Sequence, residues 1–234
     1  MNLHDMLGRV PLFQELPAPD LAELCAALVK RLYSKGQTIF HKDDDGNGLY
    51  LVGRGKVKVT LPGAGGEEVL IAIVTTGELI GELSLIDGGK RSATVTALED
   101  AELYYLGREK FIAFLASRFD SVMIIMRVLA GRLRDTNSLL EDAHLCDITT
   151  RVARRIMMLG KQFGICENGT LRIDMLVTQS DLASMTGATR ESINKQLRSF
   201  REKGLIKIEK GHVVVLDAQR LARKARMNIA PSAT

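Results

Sequence analysis

Residues 120–146 read Asp-Ser-Val-Met-Ile-Ile-Met-Arg-Val-Leu-Ala-Gly-Arg-Leu-Arg-Asp-Thr-Asn-Ser-Leu-Leu-Glu-Asp-Ala-His-Leu-Cys. Within them Val122, Met126, Leu129, Leu133, Thr136, Leu140 and Ala143 recur at alternating spacings of four and three. That is a heptad seam sustained over about three heptads, the repeat two helices need to supercoil around one another. Gly131 falls inside the pattern and lowers its helix propensity. One seam position, Thr136, is polar and has Asn137 beside it. A polar seam residue sets register or oligomer state, or it meets a ligand lying against the helix; the seam alone leaves both open.

The chain around this helix has 234 residues, enough for one large or two modest domains. At 46% hydrophobic residues it can bury packed cores. No apolar run approaches the roughly 18 to 20 residues of a membrane span. Met1–Val10 carries Asp5 and lacks an apolar signal core, so a cytoplasmic protein is expected. Cys25, Cys146 and Cys166 are scattered, giving neither a disulfide frame nor a zinc site. Asn168-Gly169-Thr170 reads as a turn rather than a glycosylation acceptor. Charge is divided unevenly. Residues 1–146 hold 16 Lys and Arg against 20 Asp and Glu, net −4; residues 147–234 hold 16 against 8, net +8. An acidic front and a basic back imply two tasks, with an anionic polymer as the partner of the back.

In the front part, Pro17–Lys30 has the stripe of a short amphipathic helix: Leu21, Leu24, Cys25 and Leu28. From Gln37 the period changes to two. Thr38–His41, Leu49–Val52, Val57–Leu61, Val69–Val74 and Ala93–Ala97 are short β-type runs, separated by turns at Asp43–Gly48, Gly53–Gly55 and Gly63–Gly66. Many short strands at regular spacing predict an antiparallel roll or sandwich. No Gly-Lys-Ser/Thr follows Gly63, Gly65 and Gly66, so these read as a hairpin and not a phosphate loop.

Gly81-Glu82-Leu83-Ser84-Leu85-Ile86-Asp87-Gly88-Gly89-Lys90-Arg91-Ser92-Ala93-Thr94-Val95 differs from its neighbours. A glycine allows close backbone approach, one helical turn follows, and a small loop delivers Arg91 and Ser92 to the next strand. Amides at a helix start, a guanidinium and a hydroxyl are the parts of an anion site. Glu82 would repel a bare phosphate, but it suits a ligand that also offers a hydroxyl, as a ribose does. The competing reading is a surface turn with an incidental Glu–Arg pair.

In the back part, a helix from about Thr150 to Phe163 carries Val152, Ile156, Leu159 and Phe163 as its buried stripe, with Met157 and Met158 filling core gaps. A hairpin at Glu167-Asn168-Gly169 leads to strand Leu171–Ile173. Thr178-Gln179-Ser180-Asp181 has the form of a capping box opening a helix. Thr186-Gly187-Ala188 is a tight turn, and Thr189 caps a second helix running to about Lys203. On that helix Ile193, Leu197 and Phe200 share one side; Arg190, Glu191, Asn194, Lys195, Arg198 and Arg201 share the other. A helix that reads the major groove does so with its amino-terminal residues, Arg to guanine and Glu to cytosine. A solvated charged face is the alternative for an isolated helix. The capped helix before it, the net +8, and a β-wing after it weigh against that alternative. Leu205–Glu209 and His212–Leu216, joined across Lys210-Gly211, form the wing. Thr178 and Gln179 are candidates for backbone-phosphate contacts. Residues 219–234 form a basic amphipathic tail ending in Ala-Pro-Ser-Ala-Thr. No nucleophile elbow, metal cluster or paired-carboxylate arrangement appears, so no enzyme is expected.

Gly-Glu-Leu-Ser-Leu followed by Arg-Ser-Ala-Thr-Val resembles the phosphate-binding cassette of cyclic-nucleotide-binding domains. Thr-Arg-Glu-Ser-Ile-Asn-Lys at 189–195 resembles the recognition helix of the bacterial CRP/FNR family of transcription regulators, to which the chain is similar essentially from end to end. The resemblance implies that Gly81, Leu83 and Ser84 supply backbone contacts, that Glu82 accepts from a ribose 2′-hydroxyl, and that Arg91 and Ser92 hold a cyclic phosphate. Thr136 and Asn137 fall where cAMP-responsive members carry a pair that meets the adenine, one in its own pocket and one in the partner's. Arg190, Glu191 and Lys195 match the family's base readers. Iron–sulfur members need four cysteines, mostly near the amino terminus, and this chain has three, none before Cys25. Haem-gated members need a placed axial histidine, whereas His41 and His144 are isolated. Asn137 replaces the Ser of some members, and the Gly88-Gly89 loop lacks the proline of some cassettes, which leaves cyclic GMP and cyclic di-GMP open beside cAMP.

The expected fold is α+β: a cyclic-nucleotide-binding antiparallel β-roll over 1–118, a long dimerisation helix over 119–146, and a winged helix-turn-helix over 147–234. The expected function is a homodimeric transcription regulator paired through residues 120–146 and gated by cAMP, with no metal cofactor and no membrane partner. It would bind palindromic double-stranded DNA, with half-sites about one helical turn apart, and engage RNA polymerase. The alternative is a DNA-binding regulator of the same fold that is constitutive or gated by another ligand.

Overall fold

The structure, a computed structural model, describes residues 7, 10, 13, 17–63, 68–116, 118–167 and 169–227. Expectations resting on residues 1–6, on Gly65 and Gly66, on Asn168 and on the last seven residues of the tail lie outside these. The chain divides into two compact units, residues 1–135 and 136–234, and the division falls inside one helix.

The first unit is built from two antiparallel four-stranded sheets. One has the order β1-β8-β3-β6, with β1 at Val29–Tyr33, β8 at Ala101–Gly107, β3 at Gly48–Arg54 and β6 at Leu79–Ile80. The other has the order β2-β7-β4-β5, with β2 at Thr38–Phe40, β7 at Thr94–Ala97, β4 at Lys56–Pro62 and β5 at Glu68–Thr75. Tyr50, Val52, Ile80 and Leu103 from the first sheet and Val57, Val74, Val95 and Ala97 from the second form one core. Because side chains alternate along a strand, Leu49, Leu51 and Leu106 point the other way. There they meet Leu21 and Leu24 of helix α1 (Ala18–Ala27), Leu85 of the single turn α2 (Leu83–Ile86), Phe111 and Phe114 of helix α3 (Arg108–Ala116), and Ile125. Strand β3 is thus buried on both faces. That is why Leu49–Val52 is a continuous apolar run rather than an alternating one.

The helix expected over Pro17–Lys30 is shorter and gives way to a strand. It ends at Ala27, Leu28 is already extended, and Val29–Tyr33 pairs with β8 from Val29↔Tyr105 to Tyr33↔Ala101. Strand β1 is at the sheet edge and almost wholly exposed, with Leu32 at 70%, so it carries no apolar alternation to announce it.

Helix α4 runs unbroken from Phe119 to Leu145 through Gly131. Ile125 is buried against the first unit's core, while Phe119, Met126, Leu133 and Leu140, seven residues apart, are exposed at 75%, 56%, 61% and 56%. In the second unit, α5 (Ile148–Phe163) is capped by Asp147, whose carboxylate accepts from the Thr150 amide at 2.8 Å. That bond holds the Asp147 carboxyl below its usual range. Val152, Ile156, Leu159 and Phe163 are buried as the periodicity predicts; Met157 is buried too, but Met158 is 38% exposed and fills no core gap. A third antiparallel sheet has the order β11-β12-β10-β9: Ile206–Glu209, His212–Val215, Thr170–Ile173 and Gly164–Glu167. No helix among the described residues is long and apolar enough to cross a membrane.

Leu103 is fully buried between the sheets, whereas Leu32 on β1 is exposed. Leu103→Ala is therefore expected to lower unfolding free energy by about 2–5 kcal/mol, and Leu32→Ala to change it by less than about 0.5 kcal/mol. Denaturant titration of both variants checks the sheet assignment; comparable losses would contradict the edge position of β1.

Candidate functional site

The site in the first unit is made by backbone geometry first. Gly81 follows β6 with φ +79°, a left-handed conformation that favours glycine, and it turns the chain into α2. The Leu85 and Ile86 amides close that turn on the Glu82 carbonyl at 3.0 and 3.2 Å. After the loop at 87–90, the chain is pinned at Arg91. The Asp43 amide donates to the Arg91 carbonyl and the Arg91 amide to the Asp44 carbonyl, both at 2.9 Å.

Arg91 points inward and is 5% exposed. Its Nη1 donates to the Gly81 carbonyl at 2.6 Å and to Ser84 Oγ at 2.8 Å, and its Nη2 donates to the Gly48 carbonyl. Burial lowers the Arg91 pKa, opposed by neighbouring Tyr50, Tyr105, Glu82 and Asp44. Glu82 is 3% exposed and is ion-paired through Oε1 with Arg132 of α4, whose Nη2 also donates to the Leu79 carbonyl. The pair therefore does not lie in a surface turn, and the carboxylate's partner is Arg132 rather than Arg91. Among the described residues, Glu82 Oε2 and Arg91 Nε are buried without a protein partner. One is an acceptor and the other a donor.

Ser84 is buried at 2% and lies beside Arg91, while Leu83 is 40% exposed and Ser92 is exposed. Thr136 and Asn137 are exposed on the part of α4 that belongs to the second unit. Periodicity passed over two arginines. Arg132 lies one helical turn before Thr136, and no spacing links it to Glu82, 50 residues earlier. Arg108, at the start of α3, donates through Nη1 to the Ser84 carbonyl at 3.1 Å. No cluster of metal-binding side chains occurs among the described residues.

In the second unit, helix α6 (Gln179–Thr186) opens with a complete capping box. The Asp181 amide donates to Thr178 Oγ1 at 3.1 Å and the Thr178 amide to Asp181 Oδ2 at 2.9 Å. Gly187 ends the helix in the left-handed region, φ 60°. Thr189 then caps helix α7 (Arg190–Glu202), accepting from the Ser192 amide at 3.2 Å. Ile193, Leu197 and Phe200 are buried, leaving Arg190, Glu191, Asn194 and Lys195 exposed. Further along, Arg198, Arg201 and Glu202 form a cleft with Ile206, Lys207 and Leu216 of the wing. Elsewhere in this unit, buried Asp142 of α4 is ion-paired with Arg154 of α5, whose Nε donates to the Ala225 carbonyl at 2.8 Å.

A model of the cyclic nucleotide-binding domain matches residues 30–118, and a model of the Crp-like helix-turn-helix domain matches residues 150–224. A CRP-like cAMP-activated global transcriptional regulator of Mycobacterium tuberculosis is 34% identical over 224 residues, covering 96% of this chain and all of that protein. The cyclic AMP receptor protein of Thermus thermophilus is 35% identical, covering 89% of this chain and 93% of that one. The c-di-GMP responsive global regulator CLP of Xanthomonas campestris shares the fold, with a TM-score of 0.74 at 22% identity over 86% of this chain and all of that one. With a cyclic nucleotide-binding roll before a Crp-like helix-turn-helix, and with relatives alike over nearly their whole length, the chain belongs to the CRP/FNR family: it is a DNA-binding transcription regulator carrying a cyclic-nucleotide-binding domain.

Proposed function

We propose that the protein is a homodimeric regulator gated by cAMP. The observation that carries the ligand site is the pair of orphaned buried atoms, Arg91 Nε and Glu82 Oε2. A buried donor and a buried acceptor each cost free energy unless paired. A cyclic nucleotide offers the complements: phosphate oxygens for the guanidinium and a ribose 2′-hydroxyl for the carboxylate. Ser92, with backbone groups of Gly81, Leu83 and Ser84, would complete the cradle, and Thr136 and Asn137 would meet the base. Preference for cAMP over cyclic GMP or cyclic di-GMP is supported by two relatives that match most of the chain and are named for cAMP.

Three segments share the work in this reading: residues 1–118 bind the effector, 119–146 pair two chains, and 147–234 bind DNA. Dimerisation is supported by the exposed heptad of Phe119, Met126, Leu133 and Leu140, apolar positions that favour burial against a second copy. Arg190, Glu191 and Lys195 would read bases, and Thr178 and Gln179 would meet the DNA backbone. RNA polymerase is a further proposed partner. Gating requires that the nucleotide prefer one arrangement of the dimer over another. A second reading, DNA binding without an effector, is favoured by the protein's own bonds to Arg91 and Glu82, which hold the cassette together from within. Operator affinity measured with and without cAMP separates the readings, since identical curves belong to the second.

Calorimetric titration of cAMP into the full chain should give saturable binding. Arg91→Gln and Glu82→Gln should each weaken it by at least about tenfold, the loss of a charge-assisted bond in a buried site. Wild-type affinity in both variants would remove the cassette from the ligand site. Leu133→Glu places a charge in the proposed seam, and sedimentation should show it shifting the chain from dimer toward monomer; an unchanged dimer would place the interface elsewhere. Arg190→Ala should cost about 1–3 kcal/mol at the specific operator while sparing most non-specific binding, a difference that salt-controlled gel-shift titrations would resolve.

A further inference from the structure

Phe40, the last residue of β2, is the aromatic neighbour of the buried guanidinium: Arg91 Cζ lies over its ring, 4.4 Å from the centroid. The ring is itself held in place. It stacks on Tyr50 with centroids 6.0 Å apart and planes 30° apart, and Tyr50 is 5% exposed in the core between the sheets. On the cassette side, a Cβ on Gly81 would come within 3.4 Å of the Phe40 ring, so the ring closes against the turn that begins the cassette.

The in-plane bonds of Arg91 run from Nη1 and Nη2 to Gly81, Ser84 and Gly48, and Nε is the buried donor left without a protein acceptor. These bonds fix two edges of the guanidinium. They restrict its tilt about the line joining them far less, and the tilt decides where Nε–H points. The Phe40 ring, with Arg91 Cζ over it at 4.4 Å, supplies that missing constraint. It also stabilises the buried charge by attraction to the ring's negative face, without consuming an N–H donor. A carboxylate there would neutralise the charge that a phosphate needs; of the two nearby acids, Glu82 is turned to Arg132 and Asp44 accepts from the His41 amide.

We propose that Phe40 is a positioning residue for ligand binding, its ring face setting the plane of the Arg91 guanidinium so that the Nε edge is presented to the cyclic phosphate. This rests on the reading of Arg91 as the phosphate-holding residue. The aromatic face, and not merely the volume at position 40, then sets nucleotide affinity.

The test replaces Phe40 in the full chain with mono-, di-, tri- and pentafluorophenylalanine. The series keeps the ring's shape nearly constant while draining its negative face. Calorimetric cAMP titration should give a Kd that rises stepwise with fluorination, reaching about five- to tenfold for the pentafluoro ring, while Phe40→Tyr stays within about twofold of wild type. Thermal midpoints are read alongside, so that a drop in affinity is compared with any drop in stability. A Kd that is flat across the series, or scattered without order, overturns the role of the ring face. Arg91→Gln distinguishes the two levels. If it binds cAMP like wild type, the phosphate site itself is misread; if it loses binding while the fluorinated series stays flat, only the role of Phe40 falls.

Discussion

A carboxylate and a guanidinium, Glu82 and Arg91, are buried in the same short stretch of chain and are satisfied by other groups rather than by each other. Burying charges is costly unless each finds partners, and the roll is arranged to supply them. Gly48 on β3, Gly81 after β6, Ser84 on α2 and Arg132 on α4 all converge on these two side chains. What remains unpaired is one atom on each. A site with a donor and an acceptor already desolvated binds a ligand that carries both complements far better than one that carries either alone.

The sheets make this convergence rigid. With both faces of β3 in apolar cores, the carbonyl of Gly48 cannot drift from the Arg91 guanidinium without opening one of them. Gly48 itself lies against Tyr105 of β8, where a Cβ would come within 2.2 Å of the ring, so strand and phenol are packed to glycine's size. The cassette is therefore a loop on a stiff frame, the usual way for a fold to hold a precise polar site.

Features governed by neighbours along the chain were legible in the sequence. The capping box at Thr178, the glycine turn at 187, the cap at Thr189 and the two faces of α7 all follow from residues a few positions apart. Features that depend on distant partners were not. Strand β1 is recognisable only through its pairing with β8, more than 65 residues later, and its exposure left no alternation to read. Arg132 reaches Glu82 across 50 residues, and Arg91 reaches Gly48 across 43. The cassette's residue types were visible through its resemblance to a family. Which basic group would face which acid was not, because that is decided by how strands and helix pack, and no spacing rule reports it. Met158 shows the same limit in small form: a helical stripe is about 100° wide, and a residue at its margin can fall on either side.

Among the described residues, strand β1 pairs along one side alone. A bare strand edge is a template on which any other extended chain can add itself. Here that edge is dressed with cations: Lys30 is bound to Glu102, and Arg31 lies over Tyr105 with its Nη1 on the Tyr50 hydroxyl at 3.0 Å. A second copy approaching this edge would bring its own Lys30 and Arg31 against the same charges. Like charges brought together in this way disfavour the addition of a second strand at β1.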